Sequence, residues 1–540
     1  MEKIQISRFF LLPAVFILMI SLGFFGLRSS TDPDFGLHLK TGELILEKGA
    51  PYKDWYSYTM PDFPWIDHEW LADVLIYKIH SISGADLLLL IFLSIHALSF
   101  FVVGNRSQKL WIFTIIFIFG YLATVNFLGI RLQIITVFFV AVLWKTINDF
   151  LSRSSRSAYF LPLMFILWTN LHAGFFAGLV ILFIELLAEI FKKIYPHTIT
   201  RDKKAGTSHR SFGVGVNNLY FEEQPWKKIS ALFFILLFSF LATIINPYGL
   251  MIYEEVFRTI GDNFLRFNIV EWFPLFSLGF HMFISLYIAV FAVLLAVFYR
   301  KVEFNQIIVS LFFFSLAMAS ARHFLLFVII TIPVLSEILN ETALYIKSNL
   351  PKTLKSLNFS QKRELVLELA LVFIFLTYGF FHNFLPDFFG DSWADDYPEK
   401  AIPFLKTLPQ EDNLFNEYRW GGYLIWKIPE RKYFIDGRMP SWRQNGQFAF
   451  GDYLKIYDAE EGFEKIMEKY DIKMAALSRT IKDNPMENRN NKIKNFIKKY
   501  RLLNYVFRNS MDEEKNLYKE LTNLGWQTIY EDDTAIILKK

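Results

Sequence analysis

About eleven apolar, mostly uncharged stretches run through the first 385 residues of this 540-residue chain. They leave few folds open, because a helix needs about 20 apolar residues to cross hydrocarbon, and fewer where its ends snorkel. The clear candidates are Phe9–Leu27, Leu87–Val103, Leu110–Leu128, Ala173–Phe191, Ile229–Ile245, Phe273–Tyr299 and Leu365–Phe384. Ile307–Ala321 and Phe324–Leu339 form a pair around Arg322 and His323, while Leu132–Trp144 and Ala158–Leu171 are short. Composition agrees: 53% of residues are hydrophobic, and 60 Phe and 13 Trp suit lipid-facing helices with aromatic belts. The predicted architecture is a polytopic α-helical membrane protein of about 11 transmembrane helices with a C-terminal extracytoplasmic α/β domain.

Charge orients the chain. With the N-terminus in the cytoplasm and the spans alternating, the cytoplasmic segments hold roughly 22 Lys and Arg. The outer loops of the membrane half hold roughly 9, as the positive-inside rule requires. Dropping one short span would invert everything downstream and spoil that asymmetry. Phe9–Leu27 follows Lys3 and Arg8 and is longer than a signal-peptide core, so it reads as an uncleaved first span. The expected location is the cytoplasmic (plasma) membrane, with the C-terminal domain outside.

Two domains follow, residues 1–384 in the membrane and 385–540 outside it. The first contains an outer loop at 28–86, a basic cytoplasmic loop at 192–228 and a second outer loop at 246–272. In the tail, short apolar runs (Tyr433–Ile435, Met474–Leu477, Ala535–Leu538) alternate with helical patterns such as Glu461–Tyr470 and Asn491–Tyr500, which reads as a small α/β domain. The net charge of +4 gives no case for nucleic acid. The absence of cysteine excludes disulfides, thiolate catalysis and Cys-based zinc sites.

The ionisable residues that suggest chemistry fall at the outer ends of the spans. They are Asp32, Asp34, His38, Asp67, His68, Glu69, Arg131, His172, Glu254, Glu255, Arg258, Glu271, Arg322 and His323. Lipid excludes stray charges, so a shared layer at one membrane face suggests a working site. By contrast Glu185, Glu189 and Glu368 lie within spans, near cytoplasmic ends, where snorkelling or pairing accounts for them.

The first outer loop is the richest segment. Pro33 disfavours helix at Asp32 and bends the exit from span one, which leaves Asp32 and Asp34 at the membrane surface. Such a pair can hold a divalent metal, supply a general base, or simply cap a helix that begins near Phe35. Farther on, Trp65 and Trp70 bracket Asp67, His68 and Glu69, ahead of an interfacial helix at Leu71–Ile79. There the alternatives are belt anchoring and a share in the site. His68-Glu69 is not a zinc helix motif, because the second His is missing.

These residues resemble a known family. The run from Asp32 to Gly42, then Gly49-Ala50-Pro51, Ser57–Thr59 and Trp65–Leu71, is similar to the first outer loop of multi-pass GT-C glycosyltransferases. The nearest likeness is to bacterial members, with a more distant one to the catalytic subunit of oligosaccharyltransferase. In that subunit an Asp is followed six residues on by a basic residue, a spacing that Asp34 and Lys40 match. Arg131-Leu132-Gln133, Trp168–Gly174, Asn246–Gly249, Glu271-Trp272 and Ala321–His323 also fit the bacterial pattern. In the tail, Asn416–Trp426 (with Tyr418) and Phe434–Arg438 loosely resemble the acceptor-recognition segment of oligosaccharyltransferases. The paired Trp and following Asp of that segment are absent here.

The resemblance implies transfer of a sugar from a polyprenyl-phosphate carrier to a glycan, lipid or protein acceptor at the outer face. Such chemistry needs a base near the acceptor and a cation near the leaving phosphate. The base, or a metal ligand, is expected to be Asp34, supported by Asp32. Arg131 and Arg322 are the expected phosphate cations, joined by His323 and Arg258. His38, Lys40, Asp67, His68, Glu69, His172, Tyr418 and Arg438 are further candidates for contact with substrate. For each Arg the alternative is snorkelling, for His172 packing, and for Arg438 a turn. A divalent metal (Mg or Mn) would take Asp34 with Glu254 and Glu255. The rival functions are a lipid-linked sugar transporter, which would place its charges at mid-membrane, and a non-catalytic scaffold.

Overall fold

The computed structural model describes residue 20 and residues 32–104, 110–195, 225–278, 281–349, 397–483 and 516–540. The expected span Leu365–Phe384, all but one residue of Phe9–Leu27, most of the loop 192–228 and the expected helix Asn491–Tyr500 lie outside the described residues. The described residues form two compact units.

The first unit draws on residues 85–256 and 266–349 and is helical. Among the described residues five helices are long and apolar enough to cross a membrane: Trp70–Val103, Gln133–Arg153, Pro225–Ala242, Met282–Lys301 and Ala321–Thr342. The first of these breaks at Gly84, whose φ of +74° is a conformation other residues rarely adopt, and only its apolar half beyond that point belongs to this unit. The short Leu132–Trp144 stretch extends to a full-length helix, Gln133–Arg153. Ala158–Leu171 instead becomes a 3-10 turn and an 11-residue helix, Leu161–Leu171.

Buried polar groups fasten these helices. Trp144 Nε1 donates to the Ile330 carbonyl at 3.1 Å, and the Tyr287 and Thr331 hydroxyls pair at 2.9 Å. Asn305 Nδ2 donates to Glu185 and to Glu189 (3.0 Å), and Lys192 and Lys228 also reach Glu189, at 2.7 and 3.2 Å. Glu189 is thus ion-paired, as a buried charge must be, whereas Glu185 is held by the Asn305 amide and its Oε1 has no hydrogen-bond partner among the described residues. The outer face is apolar: Val293 and Val297 are 62% and 64% exposed, among a run of similarly uncovered Phe and Leu. Such a surface suits lipid rather than water.

The second unit draws on residues 32–84, 257–265 and 397–540. Its sheet has four strands, β1 (Asn413–Asn416), β2 (Ile472–Ser478), β3 (Gln527–Glu531) and β4 (Ala535–Lys539), in the order β1-β2-β4-β3. The pair β1–β2 is parallel, and the other pairs are antiparallel. The apolar runs at 474–477 and 535–538 lie in β2 and β4, and the helix Phe463–Lys469 lies inside Glu461–Tyr470.

Tyr433–Ile435 behaves differently from the strand its apolar run predicts. It makes one parallel bridge, to Ser57 of the first outer loop. Tyr433 N donates to the Tyr56 carbonyl at 2.9 Å, Tyr58 N to the Tyr433 carbonyl at 3.1 Å, and Thr59 Oγ1 to the Phe434 carbonyl at 2.8 Å. A composition-based boundary puts residues 28–86 with the membrane spans. Packing puts 32–84 with the tail, because the loop's unpaired backbone groups find their partners there.

Candidate active site

The site in the second unit is built on the helix Phe35–Lys48. Asp34 occupies its N-cap position, but its side chain makes no capping hydrogen bond. The cap-like role passes to Asp32, whose Oδ1 accepts from Asp34 N at 3.0 Å while its carbonyl accepts from Phe35 N. The helix packs on a second short helix, Gly421–Lys427, through paired glycines. A Cβ at Gly36 would stand 2.6 Å from the Gly422 carbonyl oxygen, and one at Gly422 2.6 Å from the Pro33 carbonyl oxygen. Only glycine permits this crossing, and it brings the segment after Ile435 up to Asp34. A Cβ at Gly437 would overlap Asp34 Oδ1 and lie 2.7 Å from its Cγ.

Beside this contact lies a buried charge network, in which only Arg438 Nη1 lacks a hydrogen-bond partner among the described residues. The Arg438 guanidinium donates from Nε to Asp436 Oδ1 at 2.8 Å, and from Nη2 to Asp436 Oδ2 at 2.6 Å and Asp54 Oδ1 at 2.7 Å. Three rings enclose it, with centroids 4.2 Å (Trp65), 4.8 Å (Tyr56) and 4.9 Å (Trp442) from the guanidinium carbon. Burial by itself would lower the Arg438 pKa, but the Asp436 and Asp54 carboxylates more than reverse this, so the cation is fixed. Asp54 also organises its own loop, accepting from Tyr56 N at 3.1 Å and Ser57 N at 2.8 Å. Burial pushes the Tyr56 phenol well above its ordinary value. From the second outer loop, Arg258 sits 5.0 Å over Phe63, whose ring stacks on Trp442 at 4.3 Å.

On the other side of the Phe35–Lys48 helix, His38 Nδ1 meets Asp73 Oδ1 at 2.8 Å. Asp67 is buried: its Oδ1 accepts from Glu69 N at 3.1 Å, and its Oδ2 has no hydrogen-bond partner among the described residues. Burial raises its pKa well above the ordinary carboxylate value, and the neighbouring Asp73 carboxylate raises it further. His68 and Glu69 approach each other at 3.6 Å, and Lys40 pairs with Glu43 at 2.6 Å. Tyr418 packs on Phe450, and its backbone N donates to the Tyr453 hydroxyl at 3.2 Å.

The first unit holds its own cluster. Arg131 Nη1 lies 3.3 Å from Glu271 Oε1, and the Arg322 guanidinium lies 4.5 Å over the Trp272 ring. His323 packs edge-on to the same ring, and Ser320 Oγ donates to the Glu271 carbonyl at 3.2 Å. Sequence-distant Arg131, Glu271 and Ala321–His323 are thus brought together. His172 is occupied by packing: its Nδ1 accepts from Gly174 N at 3.0 Å and meets Thr136 Oγ1 at 2.8 Å. Glu254 and Glu255 diverge, the first exposed and the second buried. Among the described residues no three His, Asp or Glu side chains gather as a metal site.

The sequence named Arg438 but not Asp54 or Asp436 as its partners; it gave Asp73 no role and Gly437 only a place in the turn before Arg438. The available signal was local: Asp436-Gly437-Arg438 is a turn with a charge on each side.

No family model matches the chain, and no curated protein matches it in sequence. Solved structures do match it. The archaeal oligosaccharyltransferase AglB from Archaeoglobus fulgidus, in complex with an inhibitory peptide and a dolichol-phosphate, aligns with a TM-score of 0.51 at 11% identity. The alignment covers 88% of this chain and 70% of that one. The Archaeoglobus fulgidus oligosaccharyltransferase in the apo form gives 0.52 at 11%, covering 87% and 70%. The same organism's enzyme tethered to an acceptor peptide containing the NVT sequon gives 0.50 at 11%, covering 87% and 69%. At this identity the likeness is one of fold: the chain has an oligosaccharyltransferase-like architecture, and five of its described helices are long and apolar enough to cross a membrane.

Proposed function

We propose that the protein is a membrane glycosyltransferase that moves a sugar from a polyprenyl-phosphate-linked donor to an acceptor on the extracytoplasmic face. One observation carries the reading. On a fold shared with oligosaccharyltransferases, the Asp34 carboxylate is not spent on capping its helix; it is held against the Gly437 backbone at a proline-bent entry. In the proposed reaction Asp34 takes the proton of the acceptor hydroxyl or amide as that group attacks the anomeric carbon. The bond from that carbon to the phosphate oxygen breaks, and the electron pair leaves with the polyprenyl phosphate. Arg131 and Arg322, half-buried in the first unit's cluster, supply positive charge for that phosphate.

The experiment uses the full-length protein in lipid nanodiscs with a panel of labelled polyprenyl-phosphate hexoses and pentoses, reading release of polyprenyl phosphate. A positioned general base contributes about 10²–10⁴ in rate, so Asp34→Asn should lose turnover by at least 10² with an unchanged melting midpoint. Full turnover in that variant removes Asp34 from the chemistry. No release by the wild-type protein with any donor favours a transporter or scaffold. The same assay reads metal dependence: loss of release on chelation, restored by Mg²⁺ or Mn²⁺, gives a divalent metal a place in the reaction, and unchanged release after chelation removes it.

A further inference from the structure

We propose that the Asp436–Arg438 turn is a positioning element that sets where the Asp34 carboxylate sits. The inference rests on the reading of Asp34 as the base and adds what places it. Arg438 serves the turn rather than standing alone: its Nε and Nη2 donate to Asp54 and Asp436, three rings cover its faces, and its Nη1 is buried without a hydrogen-bond partner among the described residues. The backbone leading into the turn is equally fixed. Asn416 Oδ1 accepts from Phe434 N at 3.0 Å, its Nδ2 donates to the Ile435 carbonyl at 2.9 Å, and Asp436 Oδ1 accepts from Arg438 N at 3.0 Å.

The result is a strut from β1 and the first outer loop to Gly437, whose missing side chain leaves the space that the Asp34 carboxylate fills. Two buried carboxylates and a buried guanidinium are a costly way to hold a turn. A turn held that firmly can define an atom's position to within the tolerance that catalysis demands. Gly437 has no positive φ, so a side chain there meets no backbone strain. What it meets is the end of the Asp34 side chain, which must swing aside.

Gly437→Ala is the sharp test, because it adds one methyl group and changes no charge. In the polyprenyl-phosphate release assay the expected result is a fall in kcat on the order of a hundredfold, the scale of a 1 Å misplacement. The KM for the donor and the melting midpoint should stay at wild-type values. A merely structural glycine would lower the midpoint and leave kcat near wild type in the folded fraction, and that result overturns the proposal. Wild-type kcat in Gly437→Ala beside an inactive Asp34→Asn also overturns it, while leaving the base assignment intact. Full activity in Asp34→Asn overturns the base assignment itself. Arg438→Lys, which keeps the charge but loses the planar fork, should lower kcat more than it raises KM; a change in KM alone returns Arg438 to substrate binding.

Discussion

The two units use arginine in opposite ways. In the second unit Arg438 is 9% exposed, paired with two carboxylates through Nε and Nη2 and boxed in by rings. In the first, Arg131 is 28% exposed beside a half-exposed Glu271, and Arg322 lies over one face of Trp272. A closed guanidinium is a structural clamp, whereas one that solvent can reach keeps donors within range of an arriving anion. The residue type is the same, and burial decides which service it gives.

Breaking the clamp should have the largest effect. Arg438→Met strands Asp54 and Asp436 as buried, unpaired charges, a loss of about 3–5 kcal/mol. The melting midpoint should drop by roughly 10 °C. A drop no larger than that of a surface substitution would show the network to be wet and the contrast between the units unfounded. In the first unit, Asn305→Leu removes the shared donor of Glu185 and Glu189 and should cost about 1–3 kcal/mol, read as a lower midpoint in detergent.

Asp67 gives an effect that depends on pH. Burial raises its folded pKa well above the ordinary carboxylate value, so between the two the folded chain binds more protons than the unfolded chain. Stability therefore falls as pH rises through that window, and at higher pH the loss is complete. Asp67→Asn keeps the oxygen that accepts from Glu69 N and removes the titration. Its midpoint should vary less with pH than the wild-type one; parallel curves would show that Asp67 ionises freely. The smallest stability change belongs to Arg131→Gln, because a half-exposed ion pair contributes under about 1 kcal/mol. Its expected effect is a higher KM for the lipid-phosphate donor, with midpoint and fold retained. An unchanged KM would end the contrast from the other side.

Much of the helical half was legible because a single requirement, an apolar face toward lipid, writes itself into composition over long stretches. Leu87–Val103 and Phe324–Leu339 could be read directly. The helix at Gln133–Arg153 exceeded its apolar core because at its polar end Lys145 pairs with Asp149 and Asn148 Nδ2 donates to the Trp144 carbonyl. Asp34 stood out through its Pro33 bend, yet capping and chemistry looked alike until the structure gave the Asx-type bond to Asp32. Tyr433–Ile435 was misleading as a strand because its partner is the 54–59 loop, about 375 residues away in the chain. Arg438 was named without its partners for the same reason.

Sequence by itself determined that this chain lives in a membrane and that its charges gather at segment ends, since hydrophobicity and charge are local properties that need no neighbour to be counted. Only the tertiary structure decided that the first outer loop and the tail are one body, that Asp32 and not Asp34 takes up the turn, and that Gly437 stands against the Asp34 carboxylate. Those are long-range pairings, fixed by which buried donors and carboxylates can satisfy one another at close packing, and no window along the chain contains both halves of the pair.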